Sequence, residues 1–230
     1  MIVPAMAYFI AAGIFARGIG QTLGYIGMER LGVARSAPIV NTAPIFSSVL
    51  AVSLLGEVWT VQNVIGTCLV ILGVVILSSD RPTEGPWRKS DIAYPVLGAI
   101  AFGISTTLRK SGLNEFPNPL LAAAVTVGTA FLVLCAIVHF GFGRRALQFN
   151  HQGSGWLFAA ALLNAGAILS LFFALNIGKI VEVEPLVACN PLLTLLWTAI
   201  FLRSIERLSR RIIISAITTV AGTVLVITAH

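Results

Sequence analysis

Long apolar stretches separated by short polar loops run through the whole of this 230-residue sequence. A helix needs about 20 mostly apolar residues to cross the hydrocarbon core of a bilayer. Eight stretches meet that requirement, at 4–28, 36–55, 61–79, 92–109, 119–140, 156–177, 185–202 and 212–229. They are continuously apolar and do not alternate, which favours helices over the strands of a β-barrel. The pattern predicts an all-α polytopic membrane protein with eight transmembrane helices.

The composition agrees with this pattern and narrows the partners. Hydrophobic residues make up 57% of the chain and charged residues only 10%, whereas a soluble domain carries about 25% charged residues. The net charge of +6 comes from Lys and Arg scattered between the apolar segments, without a basic stripe or interleaved aromatic residues. We therefore expect the lipid bilayer as a partner and no nucleic acid.

The two ends of the chain are similar to each other. A shift of 148 residues places Gly18 on Gly166, and a shift of 147 places the pair Pro38 and Pro44 on Pro185 and Pro191. A shift of 149 places three further residues, Glu57 on Glu206, Thr60 on Ser209 and Gly73 on Gly222. Loop insertions produce a drift of one or two residues of this kind. The doubled Pro-x5-Pro spacing indicates a true duplication.

The repeat relates spans 1–3 to spans 6–8, so spans 4 and 5 have no earlier counterpart. The complete unit is then five helices, and the first unit is expected to lack its first two. Because five is odd, consecutive units enter the membrane in opposite senses. The predicted architecture is an incomplete inverted repeat of a five-helix unit, which is typical of secondary transporters with a substrate site near the midplane.

The residues that carry the repeat resemble a known family. Leu31-Gly32-Val33-Ala34-Arg35-Ser36-Ala37-Pro38, Leu55-Gly56-Glu57 and the glycines from Gly66 to Gly73 are similar to an EamA-type domain of the drug/metabolite transporter superfamily. The resemblance implies two five-helix units that move small metabolites across the plasma membrane, by proton coupling or by facilitated movement. In the second copy Arg203-Ser204-Ile205-Glu206 replaces the Leu-Gly-Glu motif. No substrate carries over, because family members differ widely in what they transport.

The repeat and the resemblance together give a domain organisation. We expect a first EamA-like repeat of three helices at 1–79, a linker loop at 80–91 and a second repeat of five helices at 92–230. We also expect a multi-pass protein of the plasma (inner) membrane, a small-molecule substrate, and no cofactor. A homodimer is left open, since another copy would complete the first half.

One charged residue stands apart from the loops. Arg17 lies near the middle of span 4–28, where a charge costs about 2.5–3.5 kcal/mol on insertion scales. Gln21 and Tyr25 follow at intervals of four, so the three share one helix face. We expect this polar stripe to point inward and to bind an anionic group of a substrate. The alternative is an arginine that snorkels or pairs with a backbone carbonyl.

Two prolines are expected to bend their spans. Pro44 and Pro191 each remove a backbone donor within a span, with Asn41 and Asn190 close to the loosened backbone. The hinge interpretation suits a transporter that rocks, and ordinary packing prolines are the alternative. A second proline pair, Pro38 and Pro185, is expected at helix starts, where proline fits well.

Other polar residues in the spans are weaker candidates. Asn164, on the sixth span, is expected to contact either substrate or a neighbouring helix. Glu182 and Glu184 precede the seventh span, where they serve either proton coupling or the helix dipole. His139 has no second ligand at metal-binding spacing, so we expect no metal site.

We expect a carrier and not an enzyme. The leading hypothesis is a secondary transporter of a small metabolite, anionic or amino-acid-like, that works by alternating access between the two repeats. The alternatives are an intramembrane enzyme on a lipid-linked substrate, which would need more clustered acids, and a truncated, non-transporting membrane subunit.

Overall fold

The computed structural model describes residues 2–78, 88–139, 154–190, 192–193 and 210–228. The first predicted span is one apolar stretch, Val3–Leu31, in three parts. These are α1 (Ile2–Gly13), a π-helical segment (Ile14–Gln21) and α2 (Thr22–Leu31). The remaining helices are α3 (Val33–Val40), α4 (Ala43–Leu55), α5 (Val61–Ser78), α6 (Ala93–Glu115), α7 (Pro119–Ile137), α8 (Ser154–Ile177), α9 (Ile180–Val187) and α10 (Arg210–Ile227).

The prediction of an all-α multi-pass protein is confirmed. Five stretches in the described residues are long and apolar enough to cross a membrane, and they correspond to predicted spans 1, 2, 4, 5 and 6. Two shorter apolar helices, Val61–Ile76 and Ile214–Ile227, correspond to spans 3 and 8. Most of predicted span 7, 185–202, lies outside the described residues.

The proline predictions were wrong in their local detail. The second span is broken, because α3 ends at Val40 and α4 begins at Ala43. Pro44 therefore lies in the first turn of α4, where its missing N–H costs no helical bond. Pro38 and Pro185, expected at helix starts, each lie inside a helix. The reason is that α3 and α9 both begin five residues before their proline.

The fourth span is longer than expected. Helix α6 continues to Glu115, six residues beyond the predicted end at 109. Arg109, the last residue of the predicted span, and Lys110, the first residue beyond it, are therefore both helical residues within the apolar stretch Lys89–Glu115. Arg17 is consequently one of several charged residues inside the apolar helices, and not a single exception.

The chain forms two compact units, and each combines segments from both halves of the sequence. Unit 1 consists of residues 1–19 and 105–178, and unit 2 of residues 20–104 and 179–230. In unit 1, α1 packs against α7 through small residues. A Cβ added at Gly13 would lie only 2.6 Å from the Thr126 carbonyl oxygen. Phe9 and Ala12 are fully buried on this helix.

In unit 2, α5 and α10 form the most extensive helix pair. A Cβ at Gly66 would lie 2.7 Å from the Gly222 carbonyl oxygen, and a Cβ at Gly222 would lie 2.6 Å from the Gly66 carbonyl oxygen. Gly73 faces Ser215 and Thr219 in the same way, so the two helices run antiparallel. Backbones approach this closely in membranes where small residues line both helices.

Candidate functional site

Arg17 occupies the centre of the first membrane-length helix. The apolar stretch runs from Val3 to Leu31, so fourteen residues precede Arg17 and fourteen follow it. Its side chain is half-buried, and it lies in the π-helical segment Ile14–Gln21. Short π-helical segments inside helices occur frequently at functional sites. The sequence located the charge correctly, but it gave no sign of the altered helix around it.

The π-helical segment has a packing cause. Gly13 and Gly18 both face α7, since added Cβ atoms would lie 2.6 Å from the Thr126 carbonyl oxygen and 2.9 Å from Val133 Cγ1. Residues five apart in an α-helix point about 140° away from each other, at 100° per residue. The i→i+5 bonding of a π-helix brings such residues onto one side. The π-helical segment thus keeps both glycines packed against α7. Arg17 lies in the same segment, so this packing also holds its backbone in place.

The other two members of the predicted stripe contact each other. Gln21 Nε2 donates to Tyr25 Oη over 2.6 Å, as their spacing of four residues predicts. Gln21 is half-buried and Tyr25 is 59% exposed. The inward orientation of the whole stripe therefore stays a prediction. Gln21 and Tyr25 belong to unit 2, whereas Arg17 belongs to unit 1.

The break between α3 and α4 is stabilised by a residue that the sequence reasoning missed. Asn41 was expected to bind the loosened backbone, and its own N–H donates to the Ala37 carbonyl at 3.0 Å. The side chain that bonds the backbone at this turn is that of Thr42, whose Oγ1 donates to the Ile39 carbonyl at 2.6 Å. Thr42 lies two positions before Pro44, and a hydroxyl residue at that position is the sequence signal that would have predicted this turn.

The same break recurs in the second half of the chain. Helix α9 begins and ends 147 residues after α3, and Pro185 holds the same place in α9 as Pro38 in α3. Both helices end in a two-residue turn, at 41–42 and at 188–189. Asn190 follows the second turn and is exposed, and Pro191 lies outside the described residues. Asn164, on α8, is also exposed.

Three carboxylates surround the start of α9, and each has a different environment. Glu182 lies in the first turn and pairs with Lys179 at 3.7 Å. Glu184 is buried, with 8% of its surface exposed. Glu57, from the loop after α4, accepts hydrogen bonds from the N–H groups of Ile180 at 3.0 Å and Val181 at 3.2 Å. Glu182 and Glu57 therefore lie where the helix dipole favours a negative charge, and Glu184 lies beyond the first turn.

Further polar groups in unit 2 were overlooked because hydropathy averages over them. Asn63 and Thr67 lie one turn apart on α5 and are 2% and 1% exposed. Among the residues that the structure describes, Asn63 Oδ1 and Thr67 Oγ1 have no hydrogen-bond partner, and neither has Ser36 Oγ on α3. A buried polar group without a partner costs about 1–3 kcal/mol. Asn63 and Thr67 are four residues apart inside an apolar stretch, and this spacing is the sequence signal that would have predicted a polar pair on one helix face.

No cluster of three or more His, Cys, Asp or Glu side chains suited to a metal occurs in the described part of the chain. His139 is helical and exposed.

The fold and the arrangement of polar residues define a multi-pass α-helical membrane protein. Residues 2–79 and 90–228 match the EamA-like transporter family. The chain belongs to the EamA-like transporter family.

Comparison with individual proteins gives one curated relative and a solved structure. The chain is 28% identical over 120 residues to a protein of Archaeoglobus fulgidus named "Uncharacterized transporter". The matched region covers 52% of this chain and 42% of that relative, so it spans less than half of the relative's length. A crystal structure is similar over all of this chain and 89% of its own chain, with a TM-score of 0.76 and 16% identity. That likeness shows the fold alone.

Proposed function

We propose that this protein is a secondary transporter that moves a small anionic or amino-acid-like metabolite across the plasma membrane. The observation that carries the proposal is the position of Arg17 at the centre of the stretch Val3–Leu31, within a π-helical segment. Membership of a transporter family supports the general activity. A charge at this depth is costly, and charges there are typical of substrate or ion pathways.

Arg17 suits a carboxylate for a chemical reason. A guanidinium presents a planar fork of N–H donors that matches both oxygens of a carboxylate. In a medium of low polarity, that pairing offsets part of the desolvation of both charges. Gln21 and Tyr25, with the amides Asn41, Asn164 and Asn190, are proposed as further polar contacts during the cycle.

Alternating access between two inverted repeats is the proposed mechanism. The repeats are residues 1–79 and 92–230, joined by 80–91. The equal length of α3 and α9, and their prolines at matching places, support the duplication. Pro44 and Pro191 are also proposed as hinges, and each follows the end of its short helix by four residues in the sequence. A homodimer and a small-molecule substrate belong to the same proposal.

The test uses purified protein in proteoliposomes, with labelled succinate and a labelled amino-acid mixture as probes. We expect Arg17→Ala to abolish uptake of the probe that the wild type transports, and Arg17→Lys to retain a part of it. Arg88→Ala is the matched control, because Arg88 is exposed and lies outside α6.

Two outcomes would contradict the proposal. Uptake by Arg17→Ala at the wild-type rate would remove the assigned role of Arg17. Failure of the wild type to transport either probe would reject the anionic or amino-acid-like substrate class. A monodisperse peak in size-exclusion chromatography confirms that each variant is folded.

A further inference from the structure

The π-helical segment that carries Arg17 begins two residues after a carbonyl that another helix binds. Ser105 Oγ, on α6, donates to the Ala12 carbonyl oxygen at 2.8 Å. Both residues are buried, with 1% of Ser105 and 0% of Ala12 exposed. The π-helical segment starts at Ile14, and Ala12, Ser105 and Arg17 all belong to unit 1. The hydrogen bond therefore joins α6 to the backbone just ahead of Arg17.

The Ala12 carbonyl lies where the backbone bonding of this helix changes. An α-helix pairs this carbonyl with the N–H of Ala16, four positions on, and a π-helix pairs it with the N–H of Arg17, five positions on. Both N–H groups lie in the segment Ile14–Gln21. In membrane helices, Ser and Thr side chains satisfy backbone groups that an interruption of the regular bonding leaves free. The Ser105 hydroxyl supplies such a donor at the junction.

The type of helical bonding decides where the Arg17 side chain points. In an α-helix Gly18 would lie about 140° around the axis from Gly13, and Arg17, the neighbour of Gly18, would turn with it. In the structure Gly18 lies beside Val133 on α7, on the same side as Gly13. A return to α-helical bonding would therefore rotate the Arg17 side chain about the helix axis.

We propose that Ser105 is a positioning residue for Arg17: its hydroxyl holds the junction at Ala12, and the junction keeps the following segment π-helical. The π-helical segment then sets the direction of the guanidinium. The proposal rests on the anion-binding role that is proposed above for Arg17. Ser105 acts through Arg17 and not on the substrate, so its loss weakens substrate binding and leaves the maximal rate of uptake unchanged.

The first measurement is the concentration dependence of uptake into proteoliposomes, with the labelled succinate or amino acid that the wild type transports. We expect Ser105→Ala to raise KM by about threefold, which corresponds to one hydrogen bond between membrane helices. The maximal rate should stay at the wild-type value. Ser105→Thr keeps a hydroxyl and should restore KM.

Two controls separate positioning from packing. Thr126→Val also removes a hydroxyl bond between helices, but its acceptor is the Phe9 carbonyl, which an α-helix pairs with Gly13, ahead of the π-helical segment. Ser111→Ala removes a hydroxyl of α6 that bonds the Thr107 carbonyl of the same helix. Both variants should keep the wild-type KM, although Thr126→Val should lower the Tm.

A second measurement requires no transport. The three native cysteines are replaced by serine, Arg17→Cys is introduced, and the reaction of the new thiol with N-ethylmaleimide is followed in detergent. The reaction rate depends on the surroundings into which the thiol points. Adding Ser105→Ala should therefore change the rate by about threefold or more, and adding Ser111→Ala should leave it as it was.

An unchanged KM in Ser105→Ala, or an equal rise of KM in Thr126→Val, would overturn the positioning role, and so would an unchanged thiol reaction rate. If the wild type transports neither probe, the proposed substrate class fails, and the reaction rate alone decides whether Ser105 sets the direction of residue 17. If Ser105→Ala does not fold, Ser105→Cys replaces it in the uptake measurement. Its thiol is a weak donor of similar size, so KM should again rise, and an unchanged KM rejects the proposal.

Discussion

Replacement of Gly222 by alanine tests whether the contact between α5 and α10 sets the stability of unit 2. The added Cβ would lie 2.6 Å from the Gly66 carbonyl oxygen, 2.7 Å from the Val70 nitrogen and 2.9 Å from Leu69 Cβ. Two of these three atoms belong to the backbone, so a side-chain rotation cannot relieve the contact. The helices must move apart, and the close packing that holds them is lost.

The magnitude follows from two opposing effects. Alanine in a helix interior is favoured over glycine by about 1 kcal/mol. Overpacking of a tight interface typically costs about 1–3 kcal/mol. Gly128, within α7, is the matched control, because a Cβ there meets nothing within 4 Å. Gly128→Ala should gain the helix preference alone, so Gly222→Ala should be less stable than Gly128→Ala by about 1–3 kcal/mol.

The assay is thermal unfolding in detergent, followed by intrinsic tryptophan fluorescence. A difference of about 2 kcal/mol corresponds to roughly 4–8 °C in Tm for a chain of this size. Gly166→Ala provides a second open position, in α8, and should behave like Gly128→Ala. Equal Tm values for Gly222→Ala and Gly128→Ala would contradict a stabilising contact between α5 and α10, because the same added methyl group would then cost nothing extra where the two helices meet.

Two further substitutions test single hydrogen bonds by the same thermal assay. The Asn118 side chain caps α7, because its Oδ1 accepts from the Leu121 N–H at 3.1 Å. Asn118→Ala removes this cap and should lower the free energy of unfolding by about 1 kcal/mol. Asn118→Ser keeps a capping oxygen and should recover most of that loss; no recovery would argue against a capping role. Thr126→Val removes the hydroxyl that donates to the Phe9 carbonyl between helices, and should cost about 0.6 kcal/mol. Thr129→Val is its control, since that hydroxyl bonds within its own helix, and an equal loss in both variants would contradict the interhelical role.

The prolines show where sequence reasoning failed on detail. Spacing identified the repeated Pro-x5-Pro pattern, and the structure has the same helix and turn at both places that it describes. Hydropathy, however, is averaged over a window, so the apolar residues on either side outweigh the polar turn residues Asn41 and Thr42. The stretch 36–55 is therefore predicted as one uninterrupted span. Pro38 was consequently assigned to a helix start and Pro44 to a helix interior, and the structure reverses the two.

The charged residues show a related limit. Lys110 was counted as a loop residue, because a sliding average ends a span where charges begin. In the structure the same ammonium binds the end of α8, 65 residues away in sequence. Glu57 binds the start of α9 from 123 residues away. No local pattern carries information about partners at such distances.

The amino-acid sequence alone predicts a multi-pass helical protein and the positions of most of its helices. Each span enters the bilayer according to its own hydrophobicity and satisfies its own backbone hydrogen bonds, so the information is local. It also singled out Arg17, because a charge at membrane depth is costly wherever the helix packs. Which glycines meet, which charges cap which helix ends and where the helix around Arg17 becomes π-helical depend on the packing of the folded chain. In a membrane, helices associate through close fit and interhelical hydrogen bonds, and both depend on residues that the chain keeps far apart.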